Sequence, residues 1–540
     1  MSDRASLNHA RDQPHAFPAQ ASPCDDLAIR AQPAAGIPCR RKRLALGATI
    51  LGSSMAFIDG SVVNVALPAI QTELGASVAA MQWVVNAYLL LLGSLVLVGG
   101  ALGDKLGRRT VFVAGIVLFT AASAACGLAP EPAALIAARA VQGAGAALLV
   151  PSSLAIIGAV FDERERGRAI GTWAGFGAIT SALGPVAGGW LVDAFSWRAI
   201  FYLNVPIAVI TVALALSSIP ASRGASAGQR LDWPGALTAA LGLGLLTYGL
   251  TLASSHGFSD AIVIGMIAGG LALCAAFVAI EARSQDPMMP LDVFHSRDFS
   301  GANLVTLLLY FGLGGALFFL PFTLIRAHGY TATQAGAALL PVPVVIGVLS
   351  RFTGGLAVRY GARRLLTVGP VIAAAGFALL ALPGWLDIDR ARYWTSFFPA
   401  LAVLGLGMTI TVAPLTTAVM TSVATARTGV ASGINNAVAR IASLLAIAVL
   451  GIVFVWSHNA ALSERLEQLN IPADLHREGQ LAPDMMTGAH AVPAEIVAAQ
   501  SDAIDAGLRA VALVSALCAL LGAACAAVTI RGQQKPRSEQ

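Results

Sequence analysis

Long apolar segments alternate with short polar ones along most of this chain. An α-helix rises about 1.5 Å per residue and the hydrocarbon core of a bilayer is about 30 Å thick, so about 20 apolar residues can cross it. Fourteen segments reach that length, and each predicts a transmembrane helix. They lie at about 44–70, 80–102, 110–129, 133–160, 168–192, 199–218, 234–254, 260–281, 299–322, 334–356, 365–386, 394–420, 429–456 and 508–530.

The composition supports the same class of protein. Of the 540 residues, 56% are hydrophobic and only 12% are charged, which is about half the charged fraction of a soluble domain. Residues 1–43 show no apolar periodicity and predict a disordered cytoplasmic tail. The basic cluster Arg40–Arg43 precedes an apolar segment longer than the core of a signal peptide, which favours a retained helix. The predicted fold class is an all-α polytopic membrane protein.

Basic residues concentrate in alternate connections between the predicted helices. Because Lys and Arg gather on the cytoplasmic side of membrane proteins, both termini are predicted in the cytoplasm of a multi-pass inner-membrane protein. The net charge of +5 is spread over these loops and indicates no nucleic-acid partner. The basic connections contain Lys105, Arg108, Arg109, Arg164, Arg166, Arg168, Arg223, Arg230, Arg283, Arg297, Arg359, Arg363 and Arg364.

Motifs for cofactor or metal chemistry are missing from the sequence. The six cysteines follow neither a zinc nor a disulfide spacing. No phosphate-binding loop and no His-Glu-x-x-His motif occurs. We therefore expect no metal, no cofactor and no enzymatic activity.

A short glycine-rich, basic hairpin occurs twice. Gly99–Arg109 lies between the second and third predicted helices, and a weaker copy, Gly354–Arg364, follows about 254 positions later. Two parallel copies indicate repeats about an axis along the membrane normal. The predicted division is a six-helix half at 44–218, a linker with two inserted helices at 219–298, a six-helix half at 299–530 with a long periplasmic loop at 457–507, and a cytoplasmic tail at 531–540.

The first hairpin resembles the signature loop of the major facilitator superfamily, with Gly103 for the usual alanine and Lys105 for the usual arginine. In that family the loop helps to hold the cytoplasmic gate shut, so the resemblance implies a cytoplasmic latch. The second copy has Val358 where the first has an acid, which predicts a one-sided latch. The latch residues are Gly100, Asp104, Gly107, Arg108 and Arg109.

Three further motifs are similar to those of fourteen-helix drug:proton antiporters of the EmrB/QacA type. Phe57–Pro68 resembles their first-helix motif, with Ser61 in place of the usual threonine. Arg139–Gly145 resembles Arg-x-x-Gln-Gly-x-Gly, and Gly184–Gly189 resembles Gly-Pro-x-x-Gly-Gly. The resemblance implies the major facilitator fold, with two six-helix halves, a two-helix insert and fourteen transmembrane helices.

Asp59 is the candidate proton carrier. It lies about 15 residues into the first predicted helix, where a charge costs about 2.5–3.5 kcal/mol on insertion scales, and such acids usually serve transport. Arg139 in the fourth predicted helix is placed to pair with it and to keep the carboxylate ionised until proton or substrate displaces it. Structural alternatives stay open: Asp59 as an acid that only ties two helices together, and Arg139 as an arginine that reaches the outer interface.

Gly184, Pro185, Gly188 and Gly189 predict a gate in the fifth helix. Proline removes a helix hydrogen bond and bends the axis, while glycines let neighbouring helices approach closely.

Polar and aromatic residues inside other predicted helices are candidates for the substrate cavity. Trp83 equally fits an interfacial aromatic belt, and Arg440 equally fits an interhelical hydrogen bond. The candidates are Trp83, Asn86, Tyr88, Gln142, Asn435, Asn436 and Arg440.

The resemblance implies a proton-coupled multidrug efflux antiporter that exports lipophilic, often cationic, compounds by alternating access. Its expected partners are the lipid bilayer, lipophilic small molecules and protons, and the need for a periplasmic adaptor stays open. A dedicated exporter of one metabolite, peptide or siderophore on the same fold is the alternative. From another class, a membrane scaffold or sensor that has lost transport also stays open.

Overall fold

A computed structural model of the chain describes residues 39–220, 232–285, 287–382, 393–423, 428–469 and 494–530. Over these ranges the chain forms seventeen α-helices and a short 3-10 helix (Leu291–His295), without β-strands. The helices are α1 (Cys39–Leu74), α2 (Val78–Leu106), α3 (Arg108–Leu128), α4 (Pro132–Val160), α5 (Glu163–Ala194), α6 (Ala199–Tyr202), α7 (Asn204–Ser218), α8 (Trp233–His256), α9 (Ala261–Arg283), α10 (Arg297–Arg326), α11 (Ala332–Ala338), α12 (Pro341–Tyr360), α13 (Ala362–Ala381), α14 (Tyr393–Ser396), α15 (Phe398–Thr421), α16 (Thr428–Gln468) and α17 (Ala494–Thr529).

Fourteen segments within these described ranges are long and apolar enough to cross a membrane, as the sequence predicts. Helices α6 and α7 together form one such span, and α11 continues into α12 as another. The helical form follows from the solvent, because in lipid every backbone N–H and C=O must find a partner within the chain. We call the end of the bundle where α1 begins the near end and the end where α1 stops the far end.

Helix α1 begins earlier than the sequence predicts. It starts at Cys39, so the last residues of the predicted 1–43 tail are helical, whereas residues 1–38 lie outside the described part of the chain. The side chain of Lys42 is buried, and its Nζ lies 3.3 Å from Asp162 Oδ2 and 2.7 Å from Glu165 Oε2. These two acids at the start of α5 hold the basic end of α1 in the bundle.

The segment 457–507, predicted as a long periplasmic loop, is helical at both of its ends. Helix α16 continues to Gln468 and α17 begins at Ala494. Both extensions are amphipathic: Leu462 and Leu466 on α16 pack against Ala499 and Ala503 on α17. Residues 470–493 between them lie outside the described part of the chain.

Turn geometry supports the internal repeat independently of the helix count. Gly107 between α2 and α3 has φ +102°, and Gly361 between α12 and α13 has φ +80°. Gly75 between α1 and α2 has φ +59°, and Gly329 between α10 and α11 has φ +67°. Only glycine adopts such φ values readily. Within each pair the residue numbers differ by 254, which is the offset of the two hairpins.

The helices form three groups, which are the two halves and the insert. In the first half α4 packs on α2 and α3, and in the second half α13 packs on α15 and α17. The halves meet where α1 contacts α10, where α5 contacts α11 and α12, and where α2 contacts α16. The insert helices α8 and α9 pack on each other, and α8 also packs on α2 and α16.

Candidate functional site

A buried polar network joins α1 to α4 near the middle of the first half. Asp59 on α1 is 1% exposed, and its Oδ2 accepts a hydrogen bond from Arg139 NH1 at 2.5 Å. Its Oδ1 accepts from Gln142 Nε2 at 2.8 Å. The same Arg139 nitrogen also donates to Gln142 Oε1 at 2.7 Å. The contact between Asp59 and Arg139 that the sequence predicts is therefore present, and Gln142 completes it.

The guanidinium of Arg139 is fixed from two further directions. Its Nε donates to the Val84 carbonyl of α2 at 3.0 Å, and its Cζ lies 4.3 Å from the centre of the Tyr88 ring. The hydroxyl of Tyr88 in turn donates to the Ala56 carbonyl of α1 at 3.3 Å. The ion pair, the hydrogen bonds and the stacking on Tyr88 together offset the cost of burying the arginine charge inside the membrane bundle.

Close helix packing brings these side chains together. A Cβ at Gly143 would overlap the backbone carbonyl of Tyr88, so only glycine lets α4 approach α2 at this level. A Cβ at Gly145 would lie 2.6 Å from the backbone nitrogen of Phe119 on α3. The glycines of the Arg-x-x-Gln-Gly-x-Gly motif are therefore contact positions for two neighbouring helices.

A cavity of about 260 Å³ lies in the second half. It extends from the near end, where α15 stops and α16 begins, towards Arg440 in the membrane interior. Its lining is polar around one cationic side chain. The lining residues are Tyr310, Thr416, Val419, Met420, Ser432, Asn435, Asn436, Ala439, Arg440 and Ser443.

The predicted cavity residues separate into two groups. Asn435, Asn436 and Arg440 line this cavity. Asn86, Tyr88 and Gln142 are completely buried in the helix packing of the first half, and Trp83 packs against the insert with its ring 5.7 Å from that of Tyr248. These last four do not line the cavity: Gln142 on α4 bonds Asp59 and Arg139, and Trp83 on α2 faces α8.

The predicted gate glycines lie at close contacts of α5, two of them with α1 of the same half and one with α11 of the other half. A Cβ at Gly184 would overlap Ser61 Oγ, and one at Gly188 would overlap Val62, so both glycines admit α1. A Cβ at Gly189 would overlap the carbonyl of Ala332 at the start of α11. In return, a Cβ at Gly336 of α11 would overlap the carbonyl of Pro185. Helix α5 is therefore tightly packed between α1 of its own half and α11 of the other.

Asp193 closes the far end through a contact that sequence reasoning missed. Its carboxylate accepts hydrogen bonds from Ala332 N at 3.1 Å, Thr333 N at 2.8 Å and Thr333 Oγ1 at 2.5 Å. Thr331 and Gln334 form a capping box at the same helix start. The carboxylate thus satisfies N–H groups of α11 that no backbone carbonyl can reach.

Arg326 adds a second link between the halves at the far end. From the end of α10 it donates to the Pro68 carbonyl at 3.3 Å and to Thr72 Oγ1 at 2.9 Å, both on α1. Two polar contacts and the glycine packing therefore hold this end of the bundle together.

The near-end hairpin makes contacts within its own half. Gly107 lies between the end of α2 and the start of α3, and Gly100 has space beside Pro151. Arg108 donates to the Ala155 carbonyl at 3.0 Å, and Arg109 donates to the Ile219 carbonyl at 3.2 Å. The side chains of Asp104 and of 351–359, including Val358, lie outside the described part of the chain. The latch role stays a prediction.

Fourteen membrane helices in two repeated halves, with a cavity that reaches the membrane interior, are the architecture of a membrane transporter. The family model of the Major Facilitator Superfamily matches residues 49–447, and the chain belongs to that superfamily. It is a multi-pass membrane transporter that acts on small molecules, and not an enzyme.

Relatives from bacteria agree with this family. The chain is 35% identical over 430 residues to the multidrug resistance protein Stp of Mycobacterium tuberculosis, covering 79% of each chain. It is also 35% identical over 430 residues to the puromycin resistance protein of Streptomyces alboniger, covering 79% of this chain and 84% of that one. A solved bacterial homologue of the human lysosomal transporter Spinster has the same fold, with TM-score 0.61 and 17% identity over 90% of this chain and 98% of its own.

Proposed function

We propose that this protein is a proton-coupled exporter of lipophilic small molecules in the bacterial inner membrane. The names of the relatives support export of toxic compounds, since they describe multidrug and puromycin resistance. The observation that carries the proton coupling is the buried Asp59, held by Arg139 and Gln142 inside a membrane bundle. Buried ionisable groups in membrane helices commonly mark proton or substrate pathways.

The position of Asp59 links protonation to the gate. Ser61 on α1 touches the Gly184 position of α5, and Ile58 presents its carbonyl to the same glycine. When Asp59 binds a proton, it loses its charge and with it most of its attraction for Arg139. The resulting movement of α1 relative to α4 acts directly on the packed contact with α5, and through α5 on α11.

The two ends of the bundle support an alternating-access cycle. The far end is closed by Asp193, Arg326 and the α5–α11 packing, while the cavity extends towards the near end. The basic residues of the near-end loops support a cytoplasmic near end with both termini on that side. Substrate would bind from the cytoplasm or the inner leaflet, and release would need the far-end contacts to break. The six-helix halves at 44–218 and 299–530 are the moving parts of this proposal, and 219–298 is the insert.

The test is transport in proteoliposomes with an imposed pH gradient. Asp59→Asn is expected to abolish gradient-driven movement of a lipophilic dye, because asparagine cannot exchange a proton. Glu131→Gln is the matched control, since Glu131 precedes α4 at the far end without a side-chain capping bond. Full gradient-driven transport by Asp59→Asn would overturn the coupling assignment. A wild-type transport rate that does not depend on the pH gradient would overturn the proton-coupled function itself.

The membrane orientation has its own test. A green fluorescent protein fused after residue 540 is expected to fluoresce, and alkaline phosphatase fused there is expected to be inactive, because each reporter works on one side of the membrane only. The reverse pattern would place the near end outside.

A further inference from the structure

Arg440 is a cation in the membrane interior that lacks a counter-ion in the described part of the chain. It lies on α16, about 18 Å from Thr428 at about 1.5 Å per residue. No ion pair or hydrogen bond within the described ranges engages its guanidinium. Its backbone is fixed against α2, since a Cβ at Gly93 would lie 3.3 Å from the Cβ of Arg440. The charged group therefore belongs to the cavity that it lines.

Most other polar hydrogens at this cavity are already donated to acceptors within the protein. Thr416 Oγ1 donates to the Val412 carbonyl at 3.1 Å, and Ser443 Oγ donates to the Ala439 carbonyl at 3.2 Å. The amide of Asn435 donates to Thr306 Oγ1 at 2.7 Å. Among the described lining residues, the donors left for a ligand are the guanidinium of Arg440, the hydroxyls of Tyr310 and Ser432, and the second amide hydrogen of Asn436.

The charge balance of the interior is positive. No aspartate or glutamate is among the described residues that line the cavity. The buried acid of the first half, Asp59, is already bonded to Arg139 and Gln142. A cationic compound therefore finds no uncommitted carboxylate at the cavity, whereas an anionic compound finds a free guanidinium. Protonation of Asp59 would make this balance more positive.

We propose that the cavity selects compounds that carry a carboxylate, or a similar planar anionic group, on a lipophilic body, and that Arg440 binds that group. This rests on the proposed export function and names its substrate class, in contrast to the cationic compounds that the family resemblance implies. The planar guanidinium fork pairs with both oxygens of a carboxylate, and Tyr310 supplies a further hydroxyl donor from α10. The bound anion supplies the counter-charge that the protein does not give to Arg440.

The experiment compares matched probes that differ only in this charge. A rhodamine with a free carboxylate and its methyl ester, and a naphthoate with its methyl ester, are titrated into purified full-length protein in nanodiscs at one pH without a gradient. We expect the carboxylate of at least one pair to bind at least tenfold more tightly than its ester. Arg440→Met is expected to remove this preference by weakening the carboxylate and not the ester. Arg440→Lys is expected to keep part of it, because the charge remains and the fork is lost.

Several results would overturn this assignment. They are equal binding of acid and ester by the wild type, equal weakening of both by Arg440→Met, and binding of neither member of any pair. The matched control is Arg465→Met, since Arg465 lies at the exposed end of α16 beside Asp502. Because binding is measured without a gradient, the outcome is independent of proton coupling. A charge preference without gradient-driven transport would keep the binding assignment and refute the coupled exporter.

Discussion

Asp193 offers the sharpest test of how the far end stays closed. Replacing it with alanine removes three hydrogen bonds that cross from α5 to the start of α11. These bonds exist only while the two halves are together at this end. Asp193→Ala should therefore favour the state in which the far end is open, and leave the folding of each half intact.

The expected size of the effect follows from the contact. A hydrogen bond to a charged group contributes about 1.5–3 kcal/mol where it is shielded from water. Asp193 is exposed, and solvent screening reduces such contributions strongly. We expect a loss of about 1–2 kcal/mol for the whole contact, which changes the ratio of closed to open molecules by about 5- to 30-fold. Asp193→Asn should have a smaller effect, since an asparagine oxygen still accepts hydrogen bonds at a helix start.

The assay is a distance distribution between spin labels on the two halves. Glu131 before α4 and Trp394 in α14 are both exposed at the far end and suit labelling as cysteines in a cysteine-free variant with verified transport. Asp260→Ala is the control: Asp260 accepts hydrogen bonds from Ile262 N at 2.7 Å and Val263 N at 3.3 Å at the start of α9, inside the insert. An unchanged distribution in Asp193→Ala, or an equal shift in the control, would refute the reasoning.

Two more substitutions test the packing and the buried network. Gly189→Ala should prevent far-end closure and abolish transport, because its Cβ meets the backbone of Ala332. The control is Gly175→Ala on the same helix, which has open space around the new Cβ and should transport normally. Dye efflux from cells measures both variants, and equal activity of the two would contradict the packing argument. Arg139→Lys should reduce gradient-driven transport at least tenfold, because a single ammonium cannot replace a planar group that donates to both Asp59 and the Val84 carbonyl. Transport at the wild-type rate by this variant in proteoliposomes would argue against this role.

The sequence was sufficient to predict the membrane helices, because they follow from hydropathy and from the need to satisfy every backbone group. It was less able to place their ends. Amphipathic residues such as Leu462 and Leu466 extend α16 past its apolar segment, and their partners on α17 are distant in the chain. The same holds at Cys39, where α1 begins among basic residues whose acidic partners lie at the start of α5.

The buried ion pair was also predictable, because Asp59 and Arg139 are charges inside apolar segments and must find partners. Asp193 was not predictable in this way. An acid at a helix end is common, and its partner is a set of backbone N–H groups about 140 residues later in the chain, which no side-chain pattern marks. The sequence predicts Gln142 in the substrate cavity, whereas its Oε1 accepts from Arg139 and its Nε2 donates to Asp59.

The insert gives the bundle two unequal sides towards the lipid. Helix α8 covers the seam between α2 and α16, with Tyr248 against Trp83. On the opposite seam α5 and α12 meet, and Leu183 and Val348 on these helices are both more than half exposed. A compound dissolved in the bilayer therefore contacts the insert on one side of the bundle and the exposed surfaces of α5 and α12 on the other. If substrate enters from the leaflet, we expect it to enter along α5 and α12 and not along α8.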